Sequence, residues 1–172
     1  LGTNASQVVE SCRQSFANLL KVKKSEIIFT SSATESNNTV LKGIAFANQK
    51  KGKHLIISSI EHDCILNSAN WLKTQGFEIT QIPVDKYGHL DLNKLEKSIR
   101  KDTILVSIIH GNNEIGTIQD IKKIKSNLKN SKLLVRINPI NENSESEIET
   151  CIKNGADILM LPMFKTKEEV ET

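Results

Sequence analysis

At 172 residues, 38% hydrophobic and 25% charged, the chain is long enough for one domain with a substantial core, and its composition excludes a disordered or fibrous protein. The formal net charge is only +3, with lysines scattered or in short pairs such as Lys23-Lys24 and Lys50-Lys51. That pattern lacks a basic stripe with interleaved aromatics, so nucleic acid is excluded as an expected partner. In chain order, Val8, Val9, Cys12, Phe16, Leu19 and Leu20 recur at three- and four-residue spacing and predict an amphipathic helix over about 6–20. This places Cys12 on the apolar face as a packed thiol. From residue 26 onward strands and helices alternate. Strands are expected at 26–30, 54–59, 77–84 and 103–109, and helices near 35–48, 63–74 and 92–101, with Gly52, Gly76 and Gly88 marking turns. Asp91 reads as a helix N-cap and His89 as an exposed turn residue. Such alternation predicts an α/β fold of three layers, a mainly parallel sheet covered on both faces.

Three polar clusters sit directly after apolar runs. The first is Thr30-Ser31-Ser32-Ala33-Thr34-Glu35-Ser36-Asn37-Asn38, a polar turn leading into the helix that carries Val40, Leu41 and Ile44. Free N–H groups at such a helix start receive a phosphate well, and the hydroxyls of Ser32 and Thr34 add donors. Simple capping, by Thr34 or Asn37, is the plainer reading. The second and third clusters are Glu61-His62-Asp63 after Leu55-Ile56-Ile57, and Gly111-Asn112-Asn113-Glu114-Ile115-Gly116 after 104–109. All three therefore fall at the carboxyl ends of strands, the edge where open α/β sheets bind ligands.

These motifs, together with Lys51-Gly52-Lys53-His54, resemble in order and spacing the cysteine desulfurases, which are pyridoxal-phosphate enzymes related to the class V aminotransferases. The resemblance covers about 1–121. It implies part of the large domain of the fold type I pyridoxal-phosphate enzymes, with pyridoxal 5'-phosphate as cofactor. The implied activity is removal of sulfur from L-cysteine to give alanine and a persulfide, passed to a sulfur-acceptor protein such as those of iron–sulfur cluster assembly. A homodimer is the family's usual state. Residue by residue, it implies that Ala33 and Thr34 contact the phosphate, and that His62 covers the ring and handles a proton. Asn113 would donate a hydrogen bond to the ring oxygen. Family members usually have an unreactive residue at the position of Cys64, which is not assigned as a nucleophile. The helix at 6–20 would follow a further segment in such an enzyme, and Leu1 is not a methionine, so a fragment is expected.

Beyond residue 121 the reading changes. Residues 122–131 suit a joining helix, and 132–138 a strand, but the strand reads Leu-Leu-Val-Arg-Ile-Asn-Pro. Where the resembled family has a His-x-Asp-Ala-x-Gln pattern, Arg136 replaces the histidine and Asn138 the aspartate that keeps the pyridine nitrogen protonated. The Ser-x-His-Lys motif bearing the Schiff-base lysine is not found, and Lys165 has no histidine before it. Residues 132–172, with Val135-Arg136-Ile137-Asn138-Pro139 and Gly155-Ala156-Asp157-Ile158-Leu159-Met160-Leu161-Pro162, resemble part of the citrate lyase β-subunit and related TIM-barrel aldolases. That resemblance implies Arg136 as a carboxylate-binding residue; the alternative is a surface or edge-strand cation. A helix at 144–154 places Cys151 in the core. The tail is expected to add one or two βα units to the same sheet. The chain is thus expected to be desulfurase-like but inactive alone. Alternatives are a non-catalytic phosphate-binding or interaction domain, and a carbon–carbon lyase fragment.

No apolar run reaches the roughly 18 residues of a membrane span, and no basic-then-apolar leader is seen, so no membrane partner and a cytoplasmic location are expected. The three cysteines are too few and too dispersed for a disulfide framework or zinc knuckle, and no metal is expected.

Overall fold

A computed structural model of the chain describes residues 2–162. The element order is α1 (Gly2–Leu20), a 3-10 turn (Lys24–Glu26), α2 (Ala33–Asn48), β1 (His54–Ser58), α3 (Asp63–Thr74), β2 (Glu78–Ile82), α4 (Leu92–Ser98), β3 (Thr103–Ile109), α5 (Ile121–Ser126), β4 (Lys132–Arg136), α6 (Ser144–Lys153) and β5 (Ile158–Met160). The five strands form one sheet in the order β2-β1-β3-β4-β5, and every pairing is parallel. Residues 132–162 thus extend the sheet built by the first three strands. Lys165 lies outside the described residues.

The alternation of side chains along each strand divides the core in two. Leu55, Ile57, Leu105 and Leu134 point to one face, where they meet Leu41 and Ala45 of α2 and Ile65, Ala69 and Leu72 of α3. Ile56, Val106, Ile108, Leu133 and Val135 point to the other, against Leu95 of α4, Ile121 and Ile124 of α5 and Cys151 of α6. A sheet buried on both faces explains why β1 and β3 are buried at every position and read as mostly apolar rather than alternating. Asp91 caps α4 by accepting from the Lys94 N–H at 2.9 Å, as its position predicts, and His89 is exposed in the turn before it.

Three expectations are corrected. Residues 27–30 are extended, but they form no strand with any described element. The Arg13 guanidinium donates to the Ile27 carbonyl, and Ile28 is 70% exposed. The cap of α2 is Ser32, whose Oγ accepts from the Glu35 N–H at 3.1 Å, rather than Thr34 or Asn37. Cys12 is only partly buried. Its helix lies off the sheet and buries Ala17 alone, leaving Val8 and Val9 exposed.

Leu105 is fully buried on the central strand β3. Leu105→Ala is expected to lower unfolding free energy by about 2–5 kcal/mol in urea titration, through lost transfer energy and the cavity left behind. A loss under about 1 kcal/mol would mean that the core does not close around β3 as described.

Candidate functional site

The sheet reverses its order of growth between β1 and β3. From β1 the chain moves outward to β2, and then returns on the other side to β3 and β4. The crevice at the carboxyl ends of β1 and β3 is the topological switch point, where such sheets take their ligands. The polar clusters after β1 and β3 lie at this edge, whereas the first cluster follows no strand and comes to it at the start of α2, through the packing of α2 on α3.

The N-terminus of α2 arrives there because α2 runs antiparallel to the strands and packs against α3. The first intrahelical bond runs from the Ser36 N–H to the Ser32 carbonyl, so the N–H groups of Ala33 and Thr34 precede the hydrogen-bonded ladder. The Glu35 carboxylate turns back to accept from both the N–H and the Oγ of Ser31, each at 2.7 Å. Those two bonds, the side-chain one first, hold its pKa below the ordinary value and pin the turn. The N-terminus of α3 lies alongside. His62 is its N-cap, with Nδ1 accepting from the Cys64 N–H at 3.2 Å, and its ring is exposed.

In the loop after β3 the two asparagines do different work. Asn112 is structural: its amide donates to the Ile60 carbonyl at 3.0 Å, and its Oδ1 accepts from the N–H groups of Glu114 and Ile115. Asn113 is exposed at the tip of the turn that this bonding creates. Gly111 lets that loop pass close to β4, since a Cβ at this position would stand 2.6 Å from the Asn138 amide nitrogen.

Beneath these groups lies Glu61. Its Oε1 accepts from Ser58 Oγ at 2.8 Å and from the Ile109 N–H at 2.7 Å, and its Oε2 is buried without a partner. Burial raises its pKa to about 7, outweighing the opposing pull of those two hydrogen bonds and of the Arg136 charge. Arg136 is neither a surface nor an edge-strand cation. It ends β4, between β3 and β5, and its Nε and Nη1 are buried without a hydrogen-bond partner.

Asn138 turns away from the edge, its amide donating to Glu147 Oε1 at 3.0 Å. Glu147 also contacts His110 Nδ1 at 2.6 Å. The His110 ring meets the Cys151 thiol as well, and the thiol and the carboxylate together push its pKa up to about 9. Cys151 is in the core, as its place on α6 predicts.

The structure therefore brings Ala33, Thr34, His62 and Asn113 to one edge, with Arg136 below the surface of the same edge. Glu61, His110 and Glu147 carry no role in the sequence reading, and Asn37 appears there only as a candidate cap. For Glu61 the available signal is an acid set between an apolar strand and His62; for Glu147 there is none, because its partners come from β3 and β4.

Comparison with known proteins agrees with this architecture. The profile of the class-V aminotransferases matches residues 1–162, and the chain belongs to that family. It is 46% identical over 160 residues to cysteine desulfurase IscS 1 of Archaeoglobus fulgidus, covering 93% of this chain and 41% of that protein. Against cysteine desulfurase IscS of Methanosarcina thermophila it is 52% identical over 124 residues, covering 72% and 31%. Among solved structures, a NifS-like protein superposes with a TM-score of 0.72 at 38% identity, over 78% of this chain and 38% of that one. DndA from Streptomyces lividans gives 0.77 at 29% identity, over 94% and 45%. The sheet is accordingly part of a fold type I large domain, and the chain spans about two fifths or less of the length of these curated relatives.

Glu61 also sets a pH dependence. A carboxyl with a raised folded-state pKa binds more protons folded than unfolded, so stability falls as pH rises from about 4.5 to about 7. Glu61→Gln is expected to flatten that part of the curve in urea titrations run across the window. An unchanged slope would place the titration elsewhere.

Proposed function

We propose that this chain forms the cofactor-binding part of a cysteine desulfurase-like protein, in which residues 1–121 supply the binding edge and the units from 132 onward complete the sheet behind it. The observation that carries the reading is the convergence of the open α2 N-terminus, the exposed His62 and the exposed Asn113 at the switch point.

Pyridoxal 5'-phosphate is the cofactor that the family implies, and the residues present fit its phosphate and ring face. Ala33 and Thr34 offer two N–H groups at the positive end of the 16-residue α2. A phosphate held there would orient the bound molecule. His62, anchored through Nδ1, presents its ring to the edge, while Asn113 offers an amide donor for a ring oxygen. When bound, this cofactor supplies an electron sink for carbon next to an amino group. At the pyridine nitrogen the fit fails. Residue 138 is an amide, and it is committed to Glu147. An amide does not hold a proton on that nitrogen as a carboxylate does.

L-cysteine as substrate, a sulfur-acceptor protein as partner, a homodimer and a cytoplasmic setting belong to the same reading. No helix among the described residues is long and apolar enough to cross a membrane. The chain by itself is expected to bind the cofactor without releasing sulfur.

Fluorescence titration with pyridoxal phosphate is expected to give saturable binding that inorganic phosphate competes away. Asn113→Ala is expected to weaken it about five- to tenfold, the worth of one hydrogen bond. No sulfide is expected from L-cysteine under the same conditions. Binding unaffected by Asn113→Ala and by phosphate would overturn the assignment of the edge, and sulfide release would overturn the assignment of inactivity.

A further inference from the structure

Two of the three cysteines touch a histidine, and they differ in access. Cys151 meets His110 but is fully buried. Cys64 is partly exposed in the first turn of the 12-residue α3, with His62 Nδ1 3.1 Å from its sulfur. On the other side, Asn37 Nδ2 donates to the same sulfur at 2.8 Å. Asn37 is 0% exposed, and its Oδ1 is buried with no partner, so the structure holds a polar amide in the interior with its one bond made to Cys64. A buried amide left half-satisfied is costly, and this one is aimed at a thiol. Among the described residues, Cys12 has neither a histidine nor an amide hydrogen-bonded to its sulfur.

The arrangement has a proton acceptor on one side of the sulfur and a proton donor on the other. His62 Nδ1 is the acceptor nitrogen, because it already accepts from the Cys64 N–H, which leaves the ring proton on Nε2. Asn37 donates to the sulfur whichever way the thiol proton lies. The positive end of α3 favours negative charge at the same place.

We propose that Cys64, with His62 as its base and Asn37 as its donor, is a thiol modification site that exchanges with small disulfides. The Sγ proton passes to the lone pair of His62 Nδ1, which gives up its bond from the Cys64 N–H as it does so. The sulfur then attacks one sulfur of a disulfide R–S–S–R, forming Cys64–S–S–R as the R–S–S–R bond breaks. The leaving R–S⁻ takes the proton back from His62 and departs as R–SH. The disulfide is the oxidant: one of its sulfurs is reduced to the free thiol, and Cys64 is oxidised to the mixed disulfide.

The test is a time course of native protein with 5,5'-dithiobis(2-nitrobenzoate), with each adduct mapped by peptide mass spectrometry, then repeated with oxidised glutathione. The first equivalent is expected on Cys64, about tenfold faster than on the same cysteine in urea-unfolded chain. His62→Asn removes the base while keeping a good N-cap, and is expected to abolish that advantage with the circular dichroism spectrum unchanged. A Cys12→Ser background removes the other accessible thiol and is expected to leave the fast phase intact. First reaction at Cys12 or Cys151, a Cys64 rate equal to the unfolded one, or a rate indifferent to His62→Asn would each overturn the proposal.

Discussion

One buried carboxylate ties the working edge of this sheet together. Glu61 leaves the end of β1, takes hydrogen bonds from Ser58 on its own strand and from the backbone of Ile109 at the end of β3, and lies within the field of Arg136 at the end of β4. Three adjacent strands thus share one acid at their carboxyl ends. Placing an ionisable group there is costly, and the raised pKa is the sign of that cost. In return the loops after β1 and β3 hold a fixed relation, strengthened by the Asn112 amide on the Ile60 carbonyl. The exposed groups of the edge, His62 and Asn113, stand on those two loops.

The second support of the edge comes from the helices. Asn37 and Asn38 of α2 reach Cys64 and Ser68 of α3, so the two N-termini are held side by side. The α2 N-terminus proposed for phosphate and the thiol cluster share one packing arrangement, in which the positive ends of two helices open at the same place. On the other side of the sheet, Glu147 gathers His110 and Asn138 into an inward-facing cluster. This cluster consumes the polar groups near β4, and so the edge is richer in ligand-ready atoms around β1 and β3 than around β4.

Much of this was legible in the sequence because it rests on local rules. The mostly apolar runs of β1 and β3, the cap at Asp91 and the polar clusters after those two strands all depend on neighbours within a few residues. Where the outcome depended on partners distant in the chain, the sequence misled or stayed silent. Residues 27–30 have strand chemistry, yet they belong to none of the five strands of the described sheet. For Arg136 the sequence leaves a carboxylate-binding residue and a surface or edge-strand cation both open, and only the place of β4 between β3 and β5, which buries its Nε and Nη1, removes the edge-strand reading. Cys64 is read as unreactive from the family's usual residue there, and nothing in the local sequence announces the amide that reaches its sulfur from α2. Between the two asparagines the family resemblance assigns the ring contact to Asn113, and in the structure Asn113 is exposed while Asn112 spends its side chain on the turn itself.

The central claim is that a single edge, built from the α2 N-terminus and the ends of β1 and β3, receives a phosphate-bearing aromatic ligand. The most direct measurement is a titration of isotope-labelled protein with pyridoxal phosphate, followed by amide chemical shifts. The account predicts the largest, saturable changes at the amides of Ala33 and Thr34, together with His62 and Asn113, and little change at α5 or α6. Shifts concentrated on another face, or spread over surface lysines without saturation, would contradict it.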